Sequence, residues 1–327
     1  MLELKYNLQM FAGNLNTQTT ASAGLSDEMK TYYSDYLIDN ATPELVHDQF
    51  GQKHPIPKNG GKTIEFRKFI PLGKALDVIV EGVTPDGQSL TVTKLEATVA
   101  QYGNYVTLSD IVQLTAIDNV LVETTKLLGA QAGMTLDTIT REVLNGGTNV
   151  IYSGGKEART SLTADCKLTV DDIYKAARFL KQQNAPKIEG GYVAIIHPDV
   201  AYDLMRDEEW IDVHKYSATT EIFEGEIGKI AGVRFVETTE AKIFADSGAD
   251  KRDVYSTLVL GANAYGVTEL EGGGLQHIVK QLGSGGTSDP LNQRGTAGWK
   301  ATKVAVRLVE NYMARIESAS TFESGAN

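Results

Sequence analysis

A chain of 327 residues with 42% hydrophobic and 22% charged residues can bury a sizeable core without a metal or a disulfide. Its single cysteine, Cys166, excludes an intrachain disulfide and a cysteine-rich zinc site, and fits synthesis in a reducing cytosol. A net charge of −11 argues against a nucleic-acid reader with a basic face, and no apolar run reaches the ~18 residues of a membrane span.

The chain opens, Met1 to Ala12, without a sustained apolar stretch, so no signal peptide is expected. Residues 13–25 (GNLNTQTTASAGL) are small, polar and uncharged. Such a segment has nothing to bury and stays disordered unless a neighbouring surface holds it. Residues 26–39 read as a helix, with Ser26 as N-cap and Asp27 and Glu28 at the positive helix start. Met29, Tyr32, Tyr33, Tyr36 and Leu37 form its packing face.

From Pro55 to Ile111 the pattern is that of strands. Residues 63–68 alternate, Pro71 and Gly73 end the run, and Pro85-Asp86-Gly87 is turn chemistry. Ser89 to Leu108 is rich in Thr, Val and Tyr and reads as one long strand. The two arms make a long hairpin with little apolar surface on its outer half. A two-stranded hairpin is marginal by itself, so it needs another surface to lie on.

Residues 116–145 form the longest helical stretch, with apolar positions at Ile117, Val120, Leu121, Leu127, Leu128, Leu136, Ile139 and Val143. Gly129 and Gly133 weaken its middle by about 1 kcal/mol each and mark a place to bend or to cross another helix closely. Asn145-Gly146-Gly147 ends it. Beyond Leu168 helix and strand alternate. Val170 to Gln183 is amphipathic with Thr169 as N-cap, Tyr192 to Ile196 is a buried strand, and Pro198 to Arg206 is a short helix. Val233–Val236, Ser256–Leu260 and Gln276–Gln281 read as strands, and Lys300 to Ile316 as one long strand before a small polar tail.

No constellation for catalysis emerges. The sequence lacks the GxxxxGKS/T phosphate loop, the GxSxG elbow and HExxH, and Gly225, Gly228 and Gly232 are spaced too widely for a dinucleotide loop. His47, His54, His197, His214 and His277 lie far apart, and Cys166 reads as a small buried residue. In His197-Pro198-Asp199, Pro198 suits a strand-to-helix turn and Asp199 a helix start. Asp171-Asp172 and Asp207-Glu208-Glu209 read as solvated helix ends rather than cation sites. Gly272-Gly273-Gly274 has no nearby Lys or Arg and reads as a flexible turn. No catalytic, cofactor-binding or metal-ligating residue, and no cofactor, is assigned.

Residues 225–238 (GEIGKIAGVRFVET) resemble the GxIGxIxGvxvvxT segment of tailed-bacteriophage major capsid proteins. The buried strand followed by His197-Pro198 and a helix matches that family's order. Trp299-Lys300-Ala301-Thr302 and Ala314-Arg315-Ile316-Glu317 are similar to the C-terminal pattern of the branch typified by N-four-like podophages. Asn7 to Ala12 (NLQMFA) resembles the start of capsid genes in phages of Gram-positive hosts.

The resemblance implies an α+β fold, the shell fold shared by tailed phages, encapsulins and herpesvirus capsid floors. It places an N-terminal arm at 1–25, a helix and linker at 26–54 and an E-loop hairpin at 55–110. A peripheral domain with a long spine helix follows at 111–167, an axial α/β domain at 168–275, and a return to the peripheral domain with a C-terminal strand at 276–327. It further implies copies of the chain tiling as hexamers and pentamers around double-stranded DNA, which an acidic wall would contact only non-specifically. Scaffolding, portal and decoration proteins are the expected partners; a membrane is not. The chain would be made in the host bacterial cytoplasm and reside in the virion. Gly129 and Gly133 become candidate hinge residues of the spine helix, and Lys62, Lys68 and Lys74 candidate inter-subunit residues of the hairpin. No motif fixes a crosslinking partner for those lysines, so no crosslink is expected, and a separate scaffolding protein or none is expected rather than one fused to the arm. Two other readings remain: an encapsulin-like compartment shell, and an α/β enzyme, which would need His197, Asp199 and Cys166 together in a deep pocket.

Overall fold

The computed structural model describes residues 17–18, 46–57, 61–69, 72–76, 78, 81–82, 87–115, 120–210, 226–268, 275–286 and 289–327. The segments read as the arm and the 26–39 helix lie outside these, apart from Thr17 and Gln18; so do His214 and Gly272–Gly274. The chain divides into two compact units. One holds residues 1–45, 101–136 and 273–302, the other 46–100, 137–272 and 303–327.

In chain order, β1 is Thr17–Gln18, β2 Gln52–Lys53, β3 Thr63–Phe69, β4 Val92–Thr98 and β5 Ala100–Ser109. The Ser89–Leu108 run is therefore two strands, broken at Val99, whose N–H turns to the Lys62 carbonyl at 2.8 Å. Asp110 and Ile111, read as the end of a strand, begin a helix instead: α1, Asp110–Thr115. Ser109 caps it, its hydroxyl accepting from the Val112 N–H at 3.3 Å. The long helix is α2, Val120–Asn145. Then come β6 Val150–Tyr152, α3 Val170–Gln182, β7 Tyr192–Ile196, α4 Pro198–Met205, β8 Glu226–Ile230, β9 Val233–Glu237, β10 Ile243–Phe244, β11 Val254–Leu260, β12 Tyr265–Thr268, β13 Gln276–Lys280, β14 Arg294–Arg307 and β15 Met313–Ser318.

The second unit is built on a sheet in the order β6-β15-β11-β7-β9-β8, with β10 pairing β11. Its central strand β7 reads as an unbroken apolar run because both faces are covered. Ala194 and Ile196 of β7, with Tyr255 and Val259 of β11, pack on one side with Ile173, Ala177 and Leu180 of α3 and Val200 and Leu204 of α4. Ile195, Leu258 and Leu260 pack on the other side with Leu144 of α2, Val46 and Tyr265. The result is a three-layer α/β lobe. α3 starts as its sequence indicates, with the Thr169 hydroxyl accepting from the Asp172 N–H at 3.4 Å. Residues 225–238 include a hairpin: β8 and β9 are joined by Ala231-Gly232, both at positive φ (57° and 83°), as a two-residue turn matched to strand twist requires.

The expected single strand from Lys300 to Ile316 is instead two. β14 ends at Arg307 because the N–H groups of Leu308 and Val309 both turn to the Ala264 carbonyl, at 2.8 and 3.0 Å. The chain then re-enters as β15, between β11 and β6. Alternating side chains run through this break, which hides it from the pattern. Within the same unit the end of β14 pairs with β12, and β12 with β2.

In the first unit β5 lies beside β14, β1 runs parallel to β5 through Thr107 and Leu108, and β13 pairs with β14 from Thr296 to Lys300. Gln131 of α2 accepts from Asn104 of β5 (3.0 Å) and from the Trp299 indole of β14 (3.2 Å), tying helix to sheet.

Candidate assembly surfaces

β3 and β4 pair in register from Thr63↔Thr98 to Phe69↔Val92 as an isolated two-stranded ribbon. Its surface carries Glu65, which accepts from Arg67 Nε at 2.7 Å and Lys94 Nζ at 3.4 Å. These hydrogen bonds hold the Glu65 carboxyl below its usual value. The ribbon is anchored by Phe66. Its ring lies 3.2 Å from where a Cβ on Gly266 would sit, and it meets His54 edge-on with 5.9 Å between centroids. A ribbon of this size is marginal by its own pairing.

The connection between these strands departs from expectation. The sequence pattern predicts little apolar surface on this outer half, yet Leu72, Leu76, Val78 and Leu90 are all exposed, Leu76 at 81% and Val78 at 90%. Burying a side chain of this kind is worth about 1.5–3 kcal/mol, so these four side chains hold an unrealised drive to associate. Of the hairpin lysines, Lys62 and Lys74 are exposed, and Lys68 stands opposite Thr93 in the ribbon register.

Gly129 and Gly133 sit in the uninterrupted α2, and among the described residues nothing lies within 4 Å of a Cβ built at either. A close crossing at these glycines is thus not made within the described chain. Asn145-Gly146-Gly147 ends the helix, with Gly146 N–H returning to the Glu142 carbonyl.

The residues flagged for chemistry are occupied with structure. His197 is the N-cap of α4: its Nδ1 accepts from the Asp199 N–H at 3.2 Å, and Pro198 fills the first helical position. Burial pushes the His197 pKa down, partly offset by the Asp199 charge. Asp199 Oδ2 accepts from the Tyr255 hydroxyl (2.8 Å) and the Ser324 hydroxyl (2.5 Å), and burial drives Tyr255 up to about 12. Cys166 is buried elsewhere, with Leu162 and Val254, its sulfur 3.3 Å from the Thr163 hydroxyl. Asp172 is not a solvated end: it is buried, accepting from Thr169 Oγ1 at 3.0 Å and from Lys175 at 3.1 Å. Asp207 accepts from the Val170 N–H at 3.1 Å. Among the described residues no group of three or more His, Cys, Asp or Glu is placed to hold a metal.

Sequence reasoning missed the polar contacts that clamp the tail. Asp203 accepts from the Ser320 hydroxyl (2.8 Å) and from the Thr321 N–H (2.8 Å) and hydroxyl (2.5 Å), while Asp253 accepts from the Gly325 N–H at 2.8 Å. A run of Ser, Thr and Gly signals flexibility until its partners, more than 70 residues away, are known.

A three-layer α/β lobe, a long helix and an exposed apolar-tipped ribbon define a shell-building fold, and solved structures agree. The capsid of cyanophage P-SCSP1u is similar at a TM-score of 0.69 and 15% identity, over 91% of this chain and 95% of that one. The capsid of Ralstonia phage GP4 is similar at 0.69 and 15%, over 95% and 100%. The SrpI encapsulin of Synechococcus elongatus is similar at 0.59 and 9%, over 93% and 98%. Identities this low establish the fold alone. A search of curated proteins finds no match. The family model for phage capsid proteins matches residues 92–317, and the chain belongs to that family. It is a major capsid protein, a structural component of the phage virion.

Proposed function

We propose that copies of this chain join as hexamers and pentamers into the icosahedral head that encloses the double-stranded DNA of a tailed phage. Each copy lays its 1–25 arm and its 55–110 ribbon on a neighbour, so many modest contacts act together. The exposure of Leu72, Leu76, Val78 and Leu90 carries this reading, because apolar side chains left open on a lone chain would promote indiscriminate association. The expected 276–327 return divides: its first part, with residues 111–136, acts in the peripheral domain, while the C-terminal strand β15 completes the sheet of the 168–275 axial domain. Lys62, Lys68 and Lys74 lie along the exchanged ribbon, without a covalent crosslink. Gly129 and Gly133 let the spine helix bend as the shell changes curvature. The chain is made in the host cytoplasm, works with scaffolding, portal and decoration proteins, touches DNA non-specifically and performs no catalysis.

The test replaces residues 70–91 by a short turn. The α/β lobe is expected to keep its thermal transition while particles fail to form. Normal particles from this variant would refute the exchange. The encapsulin fold likeness supports a second reading, a cargo compartment; nuclease-protected DNA in purified particles separates the two, since a compartment would carry a cargo enzyme instead.

A further inference from the structure

One end of the α/β lobe is basic, although the whole chain carries a net charge of −11. β7 and β9 run parallel and start side by side, Tyr192 opposite Val233. α3 finishes at the same end, because the Tyr192 hydroxyl donates to the Ala185 carbonyl at 3.2 Å. β8 finishes there too: it turns into β9 through Ala231-Gly232, and Lys229 Nζ donates to the Gly190 carbonyl at 3.3 Å. This end presents Arg178 and Lys181 from α3, Lys187 from the following loop and Lys229 from β8, all exposed. None of the four meets a carboxylate among the described residues. Arg234, also at this end, is matched by Glu189 at 3.4 Å and adds no free charge. Lys181 suits the negative end of the α3 dipole, but that accounts for one cation of the four. The opposite end of the same strands is acidic. Asp199 and Asp203 follow β7, Glu237 closes β9 with Glu240 just beyond, and Asp253 precedes the antiparallel β11.

We propose that Arg178, Lys181, Lys187 and Lys229 hold backbone phosphates of a DNA duplex, making this end of the lobe the chain's nucleic-acid contact. The proposal rests on the reading above that the shell encloses DNA, and adds which residues touch it. Net charge governs the far field, whereas a duplex at the surface meets the local potential of four uncompensated cations. Three of the four are lysines, compact point charges on flexible stems, which grip a phosphate without fixing its register. Phosphate contacts carry no base sequence, so DNA of any sequence is held equally. Each phosphate neutralised releases counterions, so affinity falls with salt at a log–log slope of about 0.9 per contact, or roughly 3 to 4 for the four cations together.

The test has two arms. In the first, the full chain is titrated with a short fluorescent duplex at several salt concentrations. Arg178→Gln with Lys181→Gln and Lys187→Gln is expected to weaken binding roughly tenfold or more at low salt and to lower the slope by about 2 to 3, with an unchanged circular dichroism melt. Lys62→Gln with Lys74→Gln, which removes two exposed cations of the ribbon, should change neither. Absence of binding by the wild type at low salt, an unchanged slope in the triple variant, or an equal loss in the ribbon variant overturns the proposal. A triple variant that still binds DNA but no longer forms particles overturns it too, and assigns the basic end to the acidic end of a second copy. In the second arm, DNA-filled particles are irradiated with ultraviolet light and nucleotide adducts are mapped by mass spectrometry. Adducts within residues 178–187 or at Lys229 are expected. Adducts confined to other segments overturn the site and leave the capsid reading standing; particles without DNA overturn both.

Discussion

His47 and Asp137, 90 residues apart, make a buried two-point contact: the imidazole Nδ1 lies 2.6 Å from Asp137 Oδ2, and the His47 backbone N–H donates to Oδ1 at 2.9 Å. The pair pins the start of the second unit to the C-terminal half of α2. Beside it Thr140 donates to Asp48 at 2.6 Å, Lys303 pairs with Asp48, and the Tyr265 hydroxyl donates to the His47 carbonyl. Removing one member leaves a buried polar group without its partner, the costly way to break such a pair. Asp137→Ala is expected to lower stability by about 3 kcal/mol. Denaturant unfolding of the variant measures it; a loss below about 1 kcal/mol would show that the contact is incidental.

The tail clamp should make the protein acid-sensitive. Burial pushes Asp203 up, but hydrogen bonds from Thr321 and Ser320, with the Lys167 charge, outweigh it and hold the pKa below its usual value. A depressed carboxyl contributes stability that is present above the unfolded pKa of about 3.9 and is lost as pH falls through the lower folded value. Wild type should therefore lose stability in that acidic window. Asp203→Asn should start less stable and lose less there. Parallel melting curves for the two proteins below pH 4 would contradict this assignment.

His197 titrates in the opposite sense to a paired histidine. Its folded pKa is lowered, so the unfolded chain binds its proton first as pH falls through about 6.5, and stability declines until the folded value is passed. His197→Asn keeps a capping side chain and removes the titration. The variant is expected to show a flatter stability profile from pH 7 downward, read by thermal melts across the range. An unaltered slope would show that another group sets it.

The spine glycines separate fold from assembly. Because a Cβ at Gly129 or Gly133 meets nothing among the described residues, Gly129→Ala and Gly133→Ala should each stabilise the isolated helix by about 1 kcal/mol. If the helix must bend in the shell, the same changes should reduce particle yield or alter particle size. Normal particles from the double variant would end the hinge proposal.

The elements legible in the sequence are those whose burial leaves a simple pattern. Tyr192–Ile196 is apolar throughout because both faces are covered, and Val170–Gln182 shows one apolar stripe because one face is. Short strands such as Val150–Tyr152 and Tyr265–Thr268 are held by their neighbours rather than by their own pattern. Asp110–Thr115 is helical by virtue of a serine cap inside a Thr- and Val-rich run. The Leu308–Tyr312 break leaves the alternation intact while changing the strand's partners. Of the candidate surfaces, the ribbon was visible as two strands with a turn between them. The exposure of Leu76 and Val78 was not, since an apolar residue in sequence carries no sign of whether its own chain covers it. The close approach of β5 and β14, which Gly103 makes possible against Trp299 and Gly298 against Tyr105, joins strands nearly 200 residues apart, which no local spacing encodes.

Sedimentation combined with negative-stain microscopy of the purified protein at rising concentration tests the central claim most directly. Rings or closed shells of uniform diameter, built from this chain alone or with its scaffold, are the expected result. A compact monomer at every concentration, with the ribbon connection protected from proteolysis inside its own subunit, would contradict the account.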